Sequence, residues 1–340
     1  MRKVRLGKTE LMVTKTSFGC LPIQRRDMDT AVKILRRAYE AGINYYDSAT
    51  AYTDSEQKIG EAFSDVRENV IISTKTMARD YDTTMRHIEQ SLRMLKTDYI
   101  DIMQIHNIQE VPSPDDKSSA FYAMLEMQKA GHVRHIGASA HKIGVAFDAV
   151  KSGLFETMQY PFSHISAECD FDLVKLCAEK DVGFIAMKGL AGGLITNARV
   201  CYAFMKDYPV APIWGVQTME ELEQWIALDE ENPSLDDEMR EVIERDRAEL
   251  VGTFCRSCGY CMPCPVGIDI AQSARMKRLL RRTPHKPYMS DEWYEKMHRI
   301  NDCIDCGSCR SKCPYGLDTP ALLRYMLRDY DEFYAEHKDD

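Results

Sequence analysis

Residues 1–228 alternate between two hydrophobic periods. Short β-branched or apolar runs at 15–18, 44–47, 70–75, 99–106, 135–139, 157–159, 183–187 and 211–214 predict buried strands. Between them apolar residues recur at helical spacing, over 30–41, 55–63, 83–95, 118–130, 169–180 and 219–228. Gly42 and Gly131 follow two of these stretches, where a left-handed C-cap would end a helix. Eight strands interleaved with helices in about 230 residues is the count and size of a (β/α)8 TIM barrel. A doubly wound open sheet would carry G-x-G-x-x-G after its first strand. Here that strand runs into Phe18-Gly19-Cys20-Leu21-Pro22 instead. A hairpin over 4–13, turning at Gly7-Lys8, precedes the barrel and is expected to plug its bottom.

The pattern changes after residue 228. Asp229-Glu230-Glu231-Asn232-Pro233-Ser234 is acidic, carries a proline and reads as a linker. Residues 235–251 resume as a charged amphipathic helix. The predicted organisation is a barrel at 1–228, a linker and connecting helix at 229–251, and a small, mainly helical two-cluster ferredoxin-like domain at 252–340.

That last assignment rests on cysteine. Eight of the chain's 12 cysteines form two arrays, Cys255-x-x-Cys258-x-x-Cys261-x-x-Cys264-Pro265 and Cys303-x-x-Cys306-x-x-Cys309-x-x-x-Cys313-Pro314. A C-x-x-C-x-x-C-x-x-x-C-P run holds a cubane 4Fe–4S cluster, so the arrays call for two clusters. Zinc sites pair two short knuckles or mix in histidine, and do not suit three successive C-x-x-C steps. Disulfides need an oxidising compartment, whereas the chain opens MRKVRLGKTEL with no apolar signal segment. In two-cluster ferredoxins the fourth cysteine of each run serves the other cluster. On that rule Cys255, Cys258, Cys261 and Cys313 hold one cluster, and Cys303, Cys306, Cys309 and Cys264 the other. The first array is one residue short before Cys264. The span 265–302 between the arrays has helical period over 272–282 and 291–299, unlike a compact β-rich ferredoxin.

Composition narrows the field. At 340 residues and 44% apolar, the chain can build one large core and a small appendage. A net charge of −9 argues against a nucleic-acid footprint. Lys277-Arg278-Leu279-Leu280-Arg281-Arg282 reads as one charged helix face, or as a docking site for an acidic redox partner. No apolar run approaches the roughly 18 residues of a membrane span, and the expected location is cytoplasmic. Cys169, Cys177 and Cys201 read as small buried hydrophobes. Cys20, just past the first strand, borders the expected catalytic face.

In a (β/α)8 barrel the chemistry sits at the C-terminal strand ends. Those ends supply Asp47, Tyr52 just beyond it, Lys75 and His106. A lysine ammonium favours the phenolate of a nearby tyrosine, and an aspartate holds that lysine. Histidine can orient a carbonyl and stabilise the charge that develops there. Any one of these residues alone is commonly structural. Four such types at three successive strand ends point to proton transfer.

With these residues 1–228 resemble the aldo/keto reductase family. The likeness runs through Gly42-Ile43-Asn44-Tyr45-Tyr46-Asp47-Ser48-Ala49-Thr50-Ala51-Tyr52 and Ser55-Glu56-Gln57-Lys58-Ile59-Gly60-Glu61-Ala62. It continues through Val70-Ile71-Ile72-Ser73-Thr74-Lys75 and Tyr99-Ile100-Asp101-Ile102-Met103-Gln104-Ile105-His106. The whole chain resembles a subgroup that appends a ferredoxin module. The resemblance implies hydride transfer between NADPH or NADH and a small-molecule carbonyl or alcohol, with Tyr52 as general acid–base. It places Ser139 and Gln159 at the nicotinamide carboxamide. Lys188-Gly189-Leu190-Ala191-Gly192-Gly193 is a turn suited to pyrophosphate, so Gly189, Leu190, Gly192 and Gly193 join the expected contacts. Met187 stands where the family's stacking tyrosine is usual, and Ala140 where an asparagine is.

The clusters are expected to relay electrons to or from a redox partner protein. Hydride carries two electrons together and a cubane cluster passes one, a gap that flavins commonly bridge. No flavin motif is recognisable, which leaves open a flavin bound without one. Two alternatives remain: an ordinary reductase with structural or redox-sensing clusters, and a non-catalytic electron-transfer subunit with a relic barrel.

Overall fold

The computed structural model describes residues 1–250, 254–257, 259–282, 285–313 and 315–338. These divide into two compact units, one of 1–189 with 199–241, the other of 190–198 with the described residues from 242 onward.

In the first unit, β1 (Lys3–Arg5) and β2 (Met12–Thr14) form an antiparallel hairpin. Eight parallel strands then close a barrel: β3 (Ser17–Gly19), β4 (Tyr45–Asp47), β5 (Ile71–Thr76), β6 (Ile100–Ile105), β7 (Val133–Ser139), β8 (Thr157–Pro161), β9 (Gly183–Met187) and β10 (Val210–Gly215). Closure is made by β10 on β3, with Trp214 opposite Phe18. Every predicted strand is present, shifted by no more than two residues at either end. Leu6 and Val13 of the hairpin region pack with Tyr45, Ile102, Ile185 and Ala211 in the barrel interior. The approach is close enough that a Cβ on Gly183 would stand 2.5 Å from the Leu6 side chain. The hairpin therefore seals the end at which the strands begin.

Around the strands lie α1 (Met28–Glu40), α2 (Ser55–Phe63), α3 (Tyr81–Met94), α4 (Ala120–Lys129), α5 (Ile143–Ser152), α6 (Glu168–Glu179), α7 (Ala198–Met205) and α8 (Met219–Glu231), with α9 (Asp237–Leu250) beyond them. Caps mark several starts: Asp27, Asp80 and Ser119 accept backbone N–H bonds at α1, α3 and α4. Thr218 and Glu221 close a reciprocal capping box on α8. Helices α5 and α7 escaped the periodicity reading; both are short and rich in apolar residues, where helix and strand are hard to tell apart. Helix α8 runs three residues past its predicted end, to a left-handed Asn232. Asp229 is consequently not linker: it is buried, accepting from Thr16 Oγ1 at 2.9 Å and the Tyr202 hydroxyl at 3.1 Å. At the last strand the Trp214 and Trp225 rings stack, centroids 4.0 Å apart and 13° from parallel.

The second unit is mainly helical, with α10 (Ile270–Ser273), α11 (Met276–Arg282), α12 (Asp291–His298), α13 (Ser308–Ser311) and α14 (Thr319–His337). Ile268, Leu279, Leu280, Met297, Leu323 and Met326 supply its buried apolar core. The basic stretch on α11 splits by face: Leu279 and Leu280 point inward, and Arg281 forms a two-pronged ion pair with Asp329 of α14. Among the described residues, no helix is long and apolar enough to cross a membrane.

Candidate active site and cluster cavities

Asp47 ends β4, Lys75 lies near the end of β5, and His106 directly follows β6. Strand register brings Asp47 beside Ser73, so Lys75 reaches over to it on the same side of the sheet. Lys75 Nζ lies 2.7 Å from Asp47 Oδ2 and donates to the Ser48 carbonyl at 2.5 Å. Both charged side chains are almost wholly buried. Burial pushes the Asp47 carboxyl up, while the Lys75 ammonium and a Gln159 amide pull it back.

Tyr52 is placed by a short loop. Thr50 N donates to Lys75 O at 3.0 Å, Tyr52 N to Ala49 O at 3.0 Å, and Ser55 N to Tyr52 O at 2.9 Å. The Lys75 ammonium thus sits 5.5 Å from the Tyr52 ring centre, and the His106 ring meets the Tyr52 ring edge-on at 6.0 Å. Burial, with Lys75, Arg79 and Lys188 as neighbouring cations, drives the His106 imidazole down to about 3. It is neutral across the physiological range. The four residues therefore converge as a half-buried phenol, a buried ion pair and a neutral imidazole. Cys20 is fully buried, its backbone N–H donating to Asp47 O at 2.8 Å, and burial raises its thiol far above the usual range. Cys177 and Cys201 are buried as expected; Cys169 is exposed at the start of α6, contrary to expectation.

The expected nucleotide contacts fall into two groups. Ser139 ends β7, and its Oγ accepts the Asn107 N–H at 2.8 Å. Gln159 lies across from it on β8, with Nε2 3.3 Å from Asp47 Oδ2. Met187 is buried at the end of β9, and Gly189 packs on Trp214, whose ring a Cβ there would meet at 2.5 Å. Leu190, Gly192 and Gly193 belong to the second unit. There Gly193 N donates to Leu190 O at 2.8 Å, and the Gly192 carbonyl is held by the Arg275 guanidinium. Ala191, Gly192 and Gly193 all have left-handed φ.

Sequence reasoning missed several residues behind the tetrad. Gln104 lies two positions before His106, and Ser73 two before Lys75, so each shares its partner's strand face. A polar residue two positions before a strand-end candidate, and so on the same face, was the available signal. Glu56 is a buried carboxyl with its affinity for the proton raised by burial, and accepts from Thr74 and Ser91. Lys58 is a buried ammonium that donates to Arg26 O at 2.6 Å and Asp54 Oδ1 at 2.8 Å, tying down the loop after β3.

The cysteine arrays share one backbone pattern. In the first, Ser257 and Gly259 have positive φ; in the second, the equivalent Asp305 and Gly307 do. Left-handed residues at this spacing suit the concavities in which backbone N–H groups meet an anion, as at many Fe–S sites. One such group, Ser257 N, already donates to Cys255 Sγ at 3.4 Å. Two cavities result. Cys264, Cys303, Cys306 and Cys309, with Cys261, line a small cavity walled by Val266, Ile268, Ile304 and Leu323. Cys255, Cys261 and Cys313 line another with Ala274 and Leu317. Cys258 lies outside the described residues. Among the described residues, no three His, Cys, Asp or Glu side chains meet closely enough to hold a single metal ion. Thiols spread around an apolar cavity fit a polynuclear inorganic core, which keeps its ligands well apart.

Comparison with known proteins agrees with this division. Residues 16–201 match the model of the Aldo/keto reductase family, and residues 254–318 that of a 4Fe-4S dicluster domain. The chain belongs to the aldo/keto reductase family and carries a C-terminal 4Fe–4S dicluster domain. It is similar to the uncharacterized oxidoreductase YqkF of Bacillus subtilis, 29% identical over 211 residues, covering 58% of this chain and 67% of that one. It is also similar to L-galactose dehydrogenase of Arabidopsis thaliana, 28% identical over 211 residues, covering 56% and 66%. These matches span about two thirds of each relative's length. In fold it resembles aldo-keto reductase AKR11C1 from Bacillus halodurans in its holo form, with a TM-score of 0.62, 23% identity, and coverage of 72% of this chain and 96% of that one. An aldo/keto reductase from Klebsiella pneumoniae in complex with NADP and acetate gives a TM-score of 0.61 at 20% identity, covering 72% and 94%.

Proposed function

We propose that the barrel reduces a small-molecule carbonyl, or oxidises the corresponding alcohol, with a nicotinamide nucleotide, NADPH or NADH. Bound at Ser139 and Gln159, the nicotinamide would supply or accept the hydride. The Tyr52 hydroxyl gives its proton to the carbonyl oxygen, and the Lys75 ammonium favours the negative charge left on the phenolic oxygen. Asp47 holds Lys75 in place. The neutral His106 imidazole donates a hydrogen bond to the same carbonyl oxygen and orients it. The observation that carries the reading is the buried Lys75–Asp47 pair beneath the Tyr52 ring, with His106 edge-on to it.

In the C-terminal unit, Cys255, Cys258, Cys261 and Cys313 would hold one cluster and Cys303, Cys306, Cys309 and Cys264 the other. The sorting of these cysteines between two cavities supports the crossed assignment. Such clusters supply one-electron transfer, here to or from a redox partner protein in the reducing cytoplasm. The test of the barrel chemistry is Tyr52→Phe in anaerobically purified protein, assayed against a panel of aldehydes and ketones with NADPH and NADH. Loss of about 10²–10⁴-fold in kcat with nucleotide binding retained is expected. An unchanged rate removes Tyr52 from the mechanism.

A further inference from the structure

Gln104 is fully buried in β6, opposite Lys75 on one neighbouring strand and Gly137 on the other. Gly137 has no side chain to crowd it; a Cβ there would stand 3.2 Å from Gln104 Cγ. Gln104 Nε2 lies 2.8 Å from Ser73 Oγ, 2.8 Å from Gln159 Oε1 and 3.5 Å from Asp47 Oδ1. An amide nitrogen has two hydrogens, and the two short contacts use both. The amide's orientation follows from its neighbours, since the reverse would set Gln104 Oε1 against Gln159 Oε1 and an Asp47 oxygen. Gln104 Oε1 itself is buried without a hydrogen-bond partner. A nitrogen kept in place while its own oxygen goes unsatisfied indicates a positioning duty.

We propose that Gln104 is a positioning residue that fixes which way the Gln159 amide faces. By occupying Gln159 Oε1 it turns Gln159 Nε2 toward Asp47 Oδ2, at 3.3 Å. One N–H and one lone pair of Gln159 are then left, in a set direction, for the carboxamide of a bound nicotinamide. This rests on the nicotinamide reading above. Without Gln104 the Gln159 amide keeps only the longer contact to Asp47 to set its orientation, and recognition of the nicotinamide ring weakens while the rest of the nucleotide is unaffected.

The experiment titrates full-length, cluster-loaded wild type and Gln104→Met with NADPH and NADH. It then repeats the titration with 2′-phospho-ADP-ribose and ADP-ribose, which lack the nicotinamide. For whichever nucleotide the wild type binds, Gln104→Met is expected to lose about tenfold in affinity, the worth of one hydrogen bond, and to bind the matching fragment as before. Unchanged affinity for the whole nucleotide overturns the proposal. So does a parallel loss for nucleotide and fragment, which marks a merely structural role. A wild type that binds neither nucleotide defeats the nicotinamide reading itself, and this proposal with it. If Gln104→Met does not fold, Gln104→Asn, which withdraws the amide by one methylene, should show the same split.

Discussion

The barrel and the C-terminal unit prepare for chemistry in opposite ways. In the barrel, charge is balanced internally: Lys75 and Asp47 satisfy each other in the interior, and amides from Gln104 and Gln159 close the remaining contacts. In the cysteine unit, short turns with left-handed residues set thiols around apolar space instead. A preorganised site is held by its own fold, whereas a site built around a cofactor shares its folding energy with that cofactor. The two regions should therefore fail under different insults.

The largest effect is expected from iron removal. Chelation under reducing conditions should abolish or greatly lower the calorimetric transition of the cysteine unit and leave the barrel transition in place. Two unshifted transitions in iron-free protein would refute the contrast. Next comes Lys75→Met, which strands the Asp47 carboxylate without its partner in the interior. A loss of about 3–5 kcal/mol in chemical denaturation is expected for the barrel, with no change in iron content. Equal stability would mean that the ion pair is not buried in solution.

His106 sharpens the comparison through pH. Its imidazole is held near 3 in the folded barrel and returns to about 6.5 on unfolding. Between these values the unfolded chain binds the extra proton, so stability falls as pH drops from 6.5 toward 3. This one group contributes a slope of about 1.4 kcal/mol per pH unit. His106→Gln should flatten the pH dependence of barrel unfolding by that amount between about pH 4 and 5.5. Identical slopes in variant and wild type would contradict a buried neutral imidazole. The smallest effect is local: Thr218→Ala breaks the α8 capping box and should cost about 1 kcal/mol of barrel stability, read by thermal unfolding.

Most of the architecture was legible in the chain because strand and helix carry different hydrophobic periods. It failed at α5 and α7, short helices rich in apolar residues, and at Asp229, an acidic residue that looks solvated until Thr16 and Tyr202 are brought to it. The tetrad stood out because its residue types are unusual at strand ends. Gln159 was reached through the family resemblance, but Gln104 and Ser73 were not, since the hydrogen bonds joining the three cross strands whose register no local pattern records. The cysteine spacing announced a cofactor, but the recurrence of positive φ at Ser257, Gly259, Asp305 and Gly307 appears only in the backbone.

The stacked indoles of Trp214 and Trp225 have a practical consequence. Two indole rings with centroids 4.0 Å apart and planes 13° from parallel are close enough to couple electronically, which gives the barrel a near-ultraviolet marker of its own. The chain has three tryptophans, and the remaining one, Trp293, lies edge-on to Tyr288 in the cysteine unit. Ultraviolet spectroscopy can thus follow the barrel by its indole pair with no label added.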